Sequence, residues 1–207
     1  MVDKTLVYQN IGKVVEQRGG VLNAPLLSDE DLTKALATNG YVVVRATRKG
    51  HAFRQDSNMV FIMFAENTDR ITKNERFLNT WDTVKPEPDD NVIIVTHIQP
   101  SHYIEATLNN KRKNNPKMYV ELCLAFKLSF DFPATSVYEK QEVADPEEIK
   151  KLQKMQYINT PDLSNTVILA DDTGAIWTGA RPGDYVKATL KSHVAGYTFK
   201  YYECIKS

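Results

Sequence analysis

The closing segment of this chain constrains its fold most tightly. Gly179-Ala180-Arg181-Pro182-Gly183-Asp184-Tyr185-Val186-Lys187 is followed, after four intervening residues, by Ser192-His193-Val194-Ala195-Gly196-Tyr197-Thr198-Phe199-Lys200-Tyr201. Pro182-Gly183 suits the centre of a type II turn: Pro presets φ at the first central position and Gly accepts the positive φ at the second. Ala195-Gly196 is a second point where small side chains let the backbone reverse. The intervening and following runs, 185–189 and 197–205, are aromatic and β-branched and predict strands.

At 207 residues, one large domain or two small ones can each bury a core. No apolar run is long enough to span a bilayer, and residues 1–20 are charged rather than signal-peptide-like. Cys123 and Cys204 each lie in an apolar or aromatic run. They are expected as buried, reduced thiols, which suits a cytosolic or nuclear compartment. The 26 basic and 26 acidic residues cancel, which argues against an autonomous nucleic-acid binder, since phosphate neutralisation needs a basic face. Splitting the chain after Pro133 leaves both parts near neutral, so any DNA contact is expected to be local and partner-assisted.

Along the chain, Leu6, Val7, Ile11, Val14 and Val15 form one helical stripe that Arg18-Gly19-Gly20 terminates. Ser28-Asp29-Glu30-Asp31 opens a second helix, with Leu32, Ala35 and Leu36 inward, and Asn39-Gly40 closes it. Residues 41–47 read as a strand, and 59–64 as a strand so apolar that it is expected at the sheet centre. Residues 70–81 read as a helix, 92–96 as a buried strand, and Pro100-Ser101 as a helix start. Residues 109–115 read as a polar, basic loop and 117–125 as a helix, with a strand as the alternative. Phe126, Leu128, Phe130 and Phe132 alternate with period two and predict a half-buried strand. Asp145-Pro146-Glu147-Glu148 is a helix start with its own capping acid. Further short strands are expected at 166–169 and 176–177. The class is α+β, in two domains: 1–133, helices on a sheet, and 134–207, a small mixed α/β domain.

The closing pattern resembles the C-terminal assembly domain of subunit 5 of the multisubunit DNA-directed RNA polymerases, a family with archaeal members. Gly179, Gly183, Val186, Lys187, Ser192, Ala195, Gly196 and Tyr201 carry the match. Further back, Arg18-Gly19-Gly20, Met59-Val60-Phe61-Ile62-Met63-Phe64 and Gln99-Pro100-Ser101-His102 are similar to motifs of that family's N-terminal jaw domain. The resemblance implies a jaw of restriction-endonuclease-like fold. Departures at Leu163-Ser164, Asp171-Asp172, Leu190 and Tyr201-Tyr202, and loss of both His over 135–141, imply a divergent member. Subunit-5 proteins of large cytoplasmic DNA viruses diverge in this manner. That placement implies host cytoplasm and virion, against the nucleus for a cellular member.

The chemistry of individual residues points the same way. No nucleophile-elbow sequence accompanies His51, His97, His102 or His193, so catalysis by this chain is not expected. Two distant Cys without a Cys-x-x-Cys give no zinc signature, and no phosphate-cradling glycine loop is present; no cofactor or metal is expected. A metal-dependent nuclease is the enzymatic alternative, but its Glu-x-Lys candidate, Glu148-Ile149-Lys150, falls on a predicted helix, and Pro88-Asp89 has no such partner on the strand that follows. Two basic patches are candidates for backbone contact with downstream double-stranded DNA: Arg45, Arg48, Lys49, His51 and Arg54, and Gln99, Pro100, Ser101 and His102 coupled to Lys111, Arg112, Lys113 and Lys117. Candidate docking and turn residues are Gly179, Pro182, Gly183, Asp184, Lys187, Lys191, Ser192, His193, Gly196 and Tyr201, with the terminal strand offering an edge for pairing. By resemblance the partners are the largest and other polymerase subunits. The expected function is a non-catalytic polymerase subunit, docked by its C-terminal domain and projecting a lower jaw beside downstream DNA. A free-standing protein-interaction module is the alternative.

Overall fold

Runs of β-branched and apolar residues without alternation demand cover on both faces of a sheet, and the first sheet of this chain has it. In the computed structural model, residues 2–48, 58–65, 75–97, 99, 101–135, 137–155, 166–192 and 196–206 are described. Two compact units result, Met1–Phe130 and Asp131–Ser207. The class is mixed α and β, as expected from the sequence.

In the first unit, Asp3 caps α1 (Lys4–Gln17) by accepting from the Thr5 and Leu6 amides. Ser28 caps α2 (Asp29–Asn39), which Gly40 ends at φ 75°. The strands are β1 (Gly20–Leu22), β2 (Tyr41–Arg48), β3 (Asn58–Phe64), β4 (Asn91–Thr96) and β5 (Tyr119–Leu124), in the spatial order β1-β2-β3-β4-β5. β1, β2 and β3 pair antiparallel; β3, β4 and β5 pair parallel. β3 is central and buried from Met59 onward. The parallel pairs are linked by α3 (Glu75–Val84) and α4 (His102–Asn114). Phe77, Trp81, Ile104 and Leu108 of these helices pack on Val60, Ile62, Val92, Ile94 and Val120. α1 packs against β1 and β3.

Three expectations are corrected here. Residues 117–125 are not a helix: 119–124 form β5, because register with β4 from Asn91↔Tyr119 to Thr96↔Leu124 satisfies its backbone. Residues 109–115 are not a loop: 109–114 complete α4, whose last turn carries Lys111, Arg112 and Lys113 against the negative end of the helix dipole. The alternation from Phe126 to Phe132 is not a strand. A 3-10 turn (Ala125–Leu128) buries Ala125 and Leu128, three apart, while Phe126 and Phe130 stay exposed. The expected helix over 70–81 is described from Glu75; its first residues lie outside the described set.

The second unit begins with a short helix, α5 (Phe132–Thr135). Its sheet has the order β6-β8-β9-β7, from β6 (Lys140–Val143), β7 (Val167–Leu169), β8 (Tyr185–Ser192) and β9 (Gly196–Ile205). α6 (Pro146–Met155) lies between β6 and β7 in sequence. α7 (Thr173–Thr178) covers the face of Val186 and Cys204 through Ala175. The strand expected at 176–177 is therefore helical. Gly174 through Thr178 are all buried, so no polar face marks a helical period. The terminal strand is also not a simple edge: β7 pairs with it at Glu203, Cys204 and Ile205.

Candidate docking and nucleic-acid contact sites

Gly179 ends α7 at φ 70°, with Ala180 donating to Ala175 O at 3.0 Å. The turn then forms as its residues dictate. Asp184 N donates to Arg181 O at 2.8 Å across Pro182-Gly183, and Gly183 takes φ 94°. The Asp184 carboxylate accepts from Arg181 N at 2.7 Å, and Gly183 N donates to Cys204 O at 2.8 Å. The turn is thus tied to the end of β9. Lys191, Ser192 and Gly196 lie at the far end of β8 and the start of β9, so the candidate docking residues fall at both ends of one hairpin. His193 lies outside the described residues.

Lys187 and Tyr201, cross-strand partners, occupy the middle of that hairpin. Both donate to Glu148 Oε1 of α6, at 2.7 Å from Lys187 Nζ and 2.8 Å from Tyr201 Oη. The Lys187 ammonium also lies 4.4 Å from the Phe199 ring centroid. Burial pulls the Glu148 carboxyl up, but the Lys187 and Tyr201 hydrogen bonds and the Lys187 charge outweigh it, and its pKa is lowered. Burial, the bond to Glu148 and that residue's charge push the Tyr201 phenol up to about 12. This cluster was not legible locally: Glu148 announces itself only as a helix-start acid.

In the first unit the second basic patch comes apart. Gln99, Ser101 and His102 lie at the C-terminal end of β4, where Ser101 begins α4. Lys111, Arg112 and Lys113 lie at the other end of that helix, about 15 Å away at 1.5 Å per residue. The β2–β3 and β3–β4 registers put that end beside the C-terminus of β2, which carries Arg45 and Arg48. Lys111 is held 5.6 Å from the Trp81 ring centroid and 3.9 Å from Asp82. Arg112 donates to Val120 O and to Asn109 Oδ1. Arg45 donates to Val84 O at 2.6 Å, closing the end of α3, and Arg48 approaches Met59 Sδ at 3.8 Å. Lys113 and Lys117 are exposed. Lys49, His51, Arg54 and Pro100 lie outside the described residues.

At the other end of the sheet, His102 is fully exposed and 3.5 Å from the Glu105 carboxylate. The hydroxyls of Thr96 and Ser101 and Nε2 of His97 are buried without a hydrogen-bond partner. Burial and the Lys4 charge lower the His97 pKa, against a hydrogen bond with the Phe64 backbone. Glu87, Asp89 and Asp90 bring carboxylates within 4.8 Å of one another. Asp90 is used in closing its own loop, accepting from Glu87 N at 2.8 Å and Asn58 Nδ2 at 3.2 Å. Glu148-Ile149-Lys150 is on α6, not on a strand.

Sequence reasoning missed a cavity of about 380 Å³ in the second unit, lined by Phe132, Gln141, Ile168 and Asp172 and by Tyr138 and Tyr202. The last two share a hydroxyl–hydroxyl hydrogen bond of 2.6 Å. Phe132 and Tyr202 belong to segments 70 residues apart, so no local pattern marks it.

No protein-family model matches the chain. A stretch of 78 residues is 32 % identical to the DNA-directed RNA polymerase subunit Rpo5 of Thermococcus celer, covering 38 % of this chain and 93 % of the relative.

Proposed function

Because the chain belongs to the family of the DNA-directed RNA polymerase subunit Rpo5, we propose that it serves as a non-catalytic subunit of such a polymerase. The single observation that carries this reading is the match over nearly the whole length of that relative. The matched length is close to that of the unit Asp131–Ser207, which supports assigning docking on the largest subunit to the C-terminal part, 134–207. The N-terminal part, 1–133, then serves as a lower jaw beside downstream duplex, with nucleotidyl transfer left to the large subunits. Exposed Lys113 and Lys117 at one end of the sheet, and Gln99 and His102 at the other, are the groups that reach phosphates without disrupting the core. The departures from the family motif favour a polymerase of a large cytoplasmic DNA virus, carried in the host cytoplasm and the virion.

The test is co-purification of the tagged full chain from its native source. Stoichiometric recovery with the two large polymerase subunits is expected, and recovery only with unrelated proteins overturns the reading. Removal of 134–207 is expected to abolish that recovery.

A further inference from the structure

β9 has two differently employed edges, and the register separates them. Side chains at Tyr197, Phe199, Tyr201, Glu203 and Ile205 share one face, the face of Lys187 and Lys191 from β8 and of Val167 and Leu169 from β7. Cys204 and Tyr202 point the other way, into the core under α7. Val167, Leu169, Tyr197, Phe199 and Ile205 are all large, apolar and exposed. An apolar row of this kind on one sheet face marks an interaction surface rather than scattered exposure.

The backbone is equally asymmetric. In an antiparallel pair, alternate residues direct both polar groups to the partner strand and the others direct them away. Cys204 N donates to Asp184 O, toward β8. Glu203 N donates instead to Thr166 O at 3.0 Å, and Tyr201 O accepts from Thr166 Oγ1 at 2.6 Å, both on the side away from β8. Tyr197 and Phe199 follow the parity of Glu203, so their N–H and C=O groups, with the Tyr201 N–H, face that same side. β7 pairs only with Glu203, Cys204 and Ile205. Among the described residues, no strand pairs with β9 from Tyr197 to Tyr201 on that side.

We propose that this open edge takes up an extended segment of a larger polymerase subunit as an added strand, in line with β7. The donors and acceptors that no described strand fills select an extended backbone, and the aromatic row selects apolar side chains at alternate positions of the incoming segment. Lys191 is exposed and has no acidic partner among the described residues, and Lys187 already has Glu148. A carboxylate on the outward row of the segment complements that charge. The choice of a polymerase subunit over a second copy of this chain rests on the reading given under Proposed function.

Residue-resolved hydrogen exchange on the full chain, free and within the purified polymerase, tests it. In the free chain the Tyr197, Phe199 and Tyr201 amides exchange rapidly, while those of Thr198, Lys200 and Tyr202 are protected by β8. In the assembled enzyme the first three slow by about 100-fold. Free-chain protection of those three, or a dimer of the free chain that supplies it, overturns the proposal. Fast exchange in a polymerase that contains the chain stoichiometrically also overturns it and leaves the polymerase reading standing. Absence of polymerase subunits from the purified material overturns both. Phe199→Pro removes one edge donor without cutting the β8–β9 ladder. It is expected to lower incorporation at least 10-fold in a folded chain; unchanged incorporation overturns the proposal.

Discussion

Arg18 and Glu121, separated by 103 positions, meet in a bidentate pair: Nη1–Oε1 at 3.0 Å and Nη2–Oε2 at 2.8 Å. The guanidinium is completely buried, the carboxylate nearly so, and the Phe61 ring centroid lies 6.0 Å from the Arg18 Cζ. The pair joins the end of α1 to β5 and makes the start of the chain dependent on the outermost parallel strand.

Removing one partner strands a buried charge, so Arg18→Met or Glu121→Leu alone should cost about 3–5 kcal/mol. The double substitution should recover most of that loss, because neither charge is left to desolvate. Urea midpoints of the four proteins check this, and equal losses in single and double variants would sink it.

Glu148 links α6 to β8 and β9, and its pKa is lowered in the folded chain. The stability it contributes is present above its unfolded value, about 4.3, and disappears as pH falls through the lower folded value. The melting temperature of the native chain should therefore exceed that of Glu148→Gln near neutral pH, with the gap closing below about pH 4. Tyr201 behaves in the opposite sense. Its phenol is raised to about 12, so its share is complete below pH 10 and lost between about 10 and 12. Thermal scans across pH, with Tyr201→Phe as the second variant, measure both slopes.

Gly183 has φ 94° and open space around its Cα. Gly183→Ala should cost about 1–2 kcal/mol through backbone strain alone, and Gly183→Asn less, since Asn tolerates the left-handed region. Equal stability of all three in chemical denaturation would show that the turn relaxes freely.

The cations at the end of α4 should divide by role. Lys111 stabilises α3 through Trp81 and Asp82, whereas Lys113 is exposed. If the jaw meets duplex phosphates, Lys113→Gln should reduce the salt slope of polymerase–DNA affinity by about 1 with little change in melting temperature. Lys111→Gln should lower the melting temperature instead. DNA titrations at several salt concentrations separate the two.

Burial pushes the Cys123 thiol up to about 12, with the Arg18 charge opposing. At pH 8 its thiolate fraction is then ~10⁻⁴. Peptide-level mass spectrometry after brief alkylation should find Cys123 unmodified in the folded chain and modified in urea.

Much of the local architecture was legible. Arg18 closes the first helix, Ser28 and Gly40 bound the second, Pro182-Gly183 makes its turn, and the continuous apolar run of β3 lies at the sheet centre. The candidate sites were less so. Lysines and arginines look alike in a sequence, yet Arg45 and Arg112 satisfy backbone carbonyls, and the two ends of α4 separate residues that are close in number.

By itself, then, the sequence determined what steric rules within a few residues can decide: caps, turns and breakers. Tertiary structure decided the rest. Residues 117–125 suit a helix until β4 offers them a ladder, and 173–178 hide their helical period because neighbours cover every side. Glu148 acquires its role only when Lys187 and Tyr201 arrive from distant strands. Backbone preference is short-ranged, whereas burial and charge pairing depend on which segments meet.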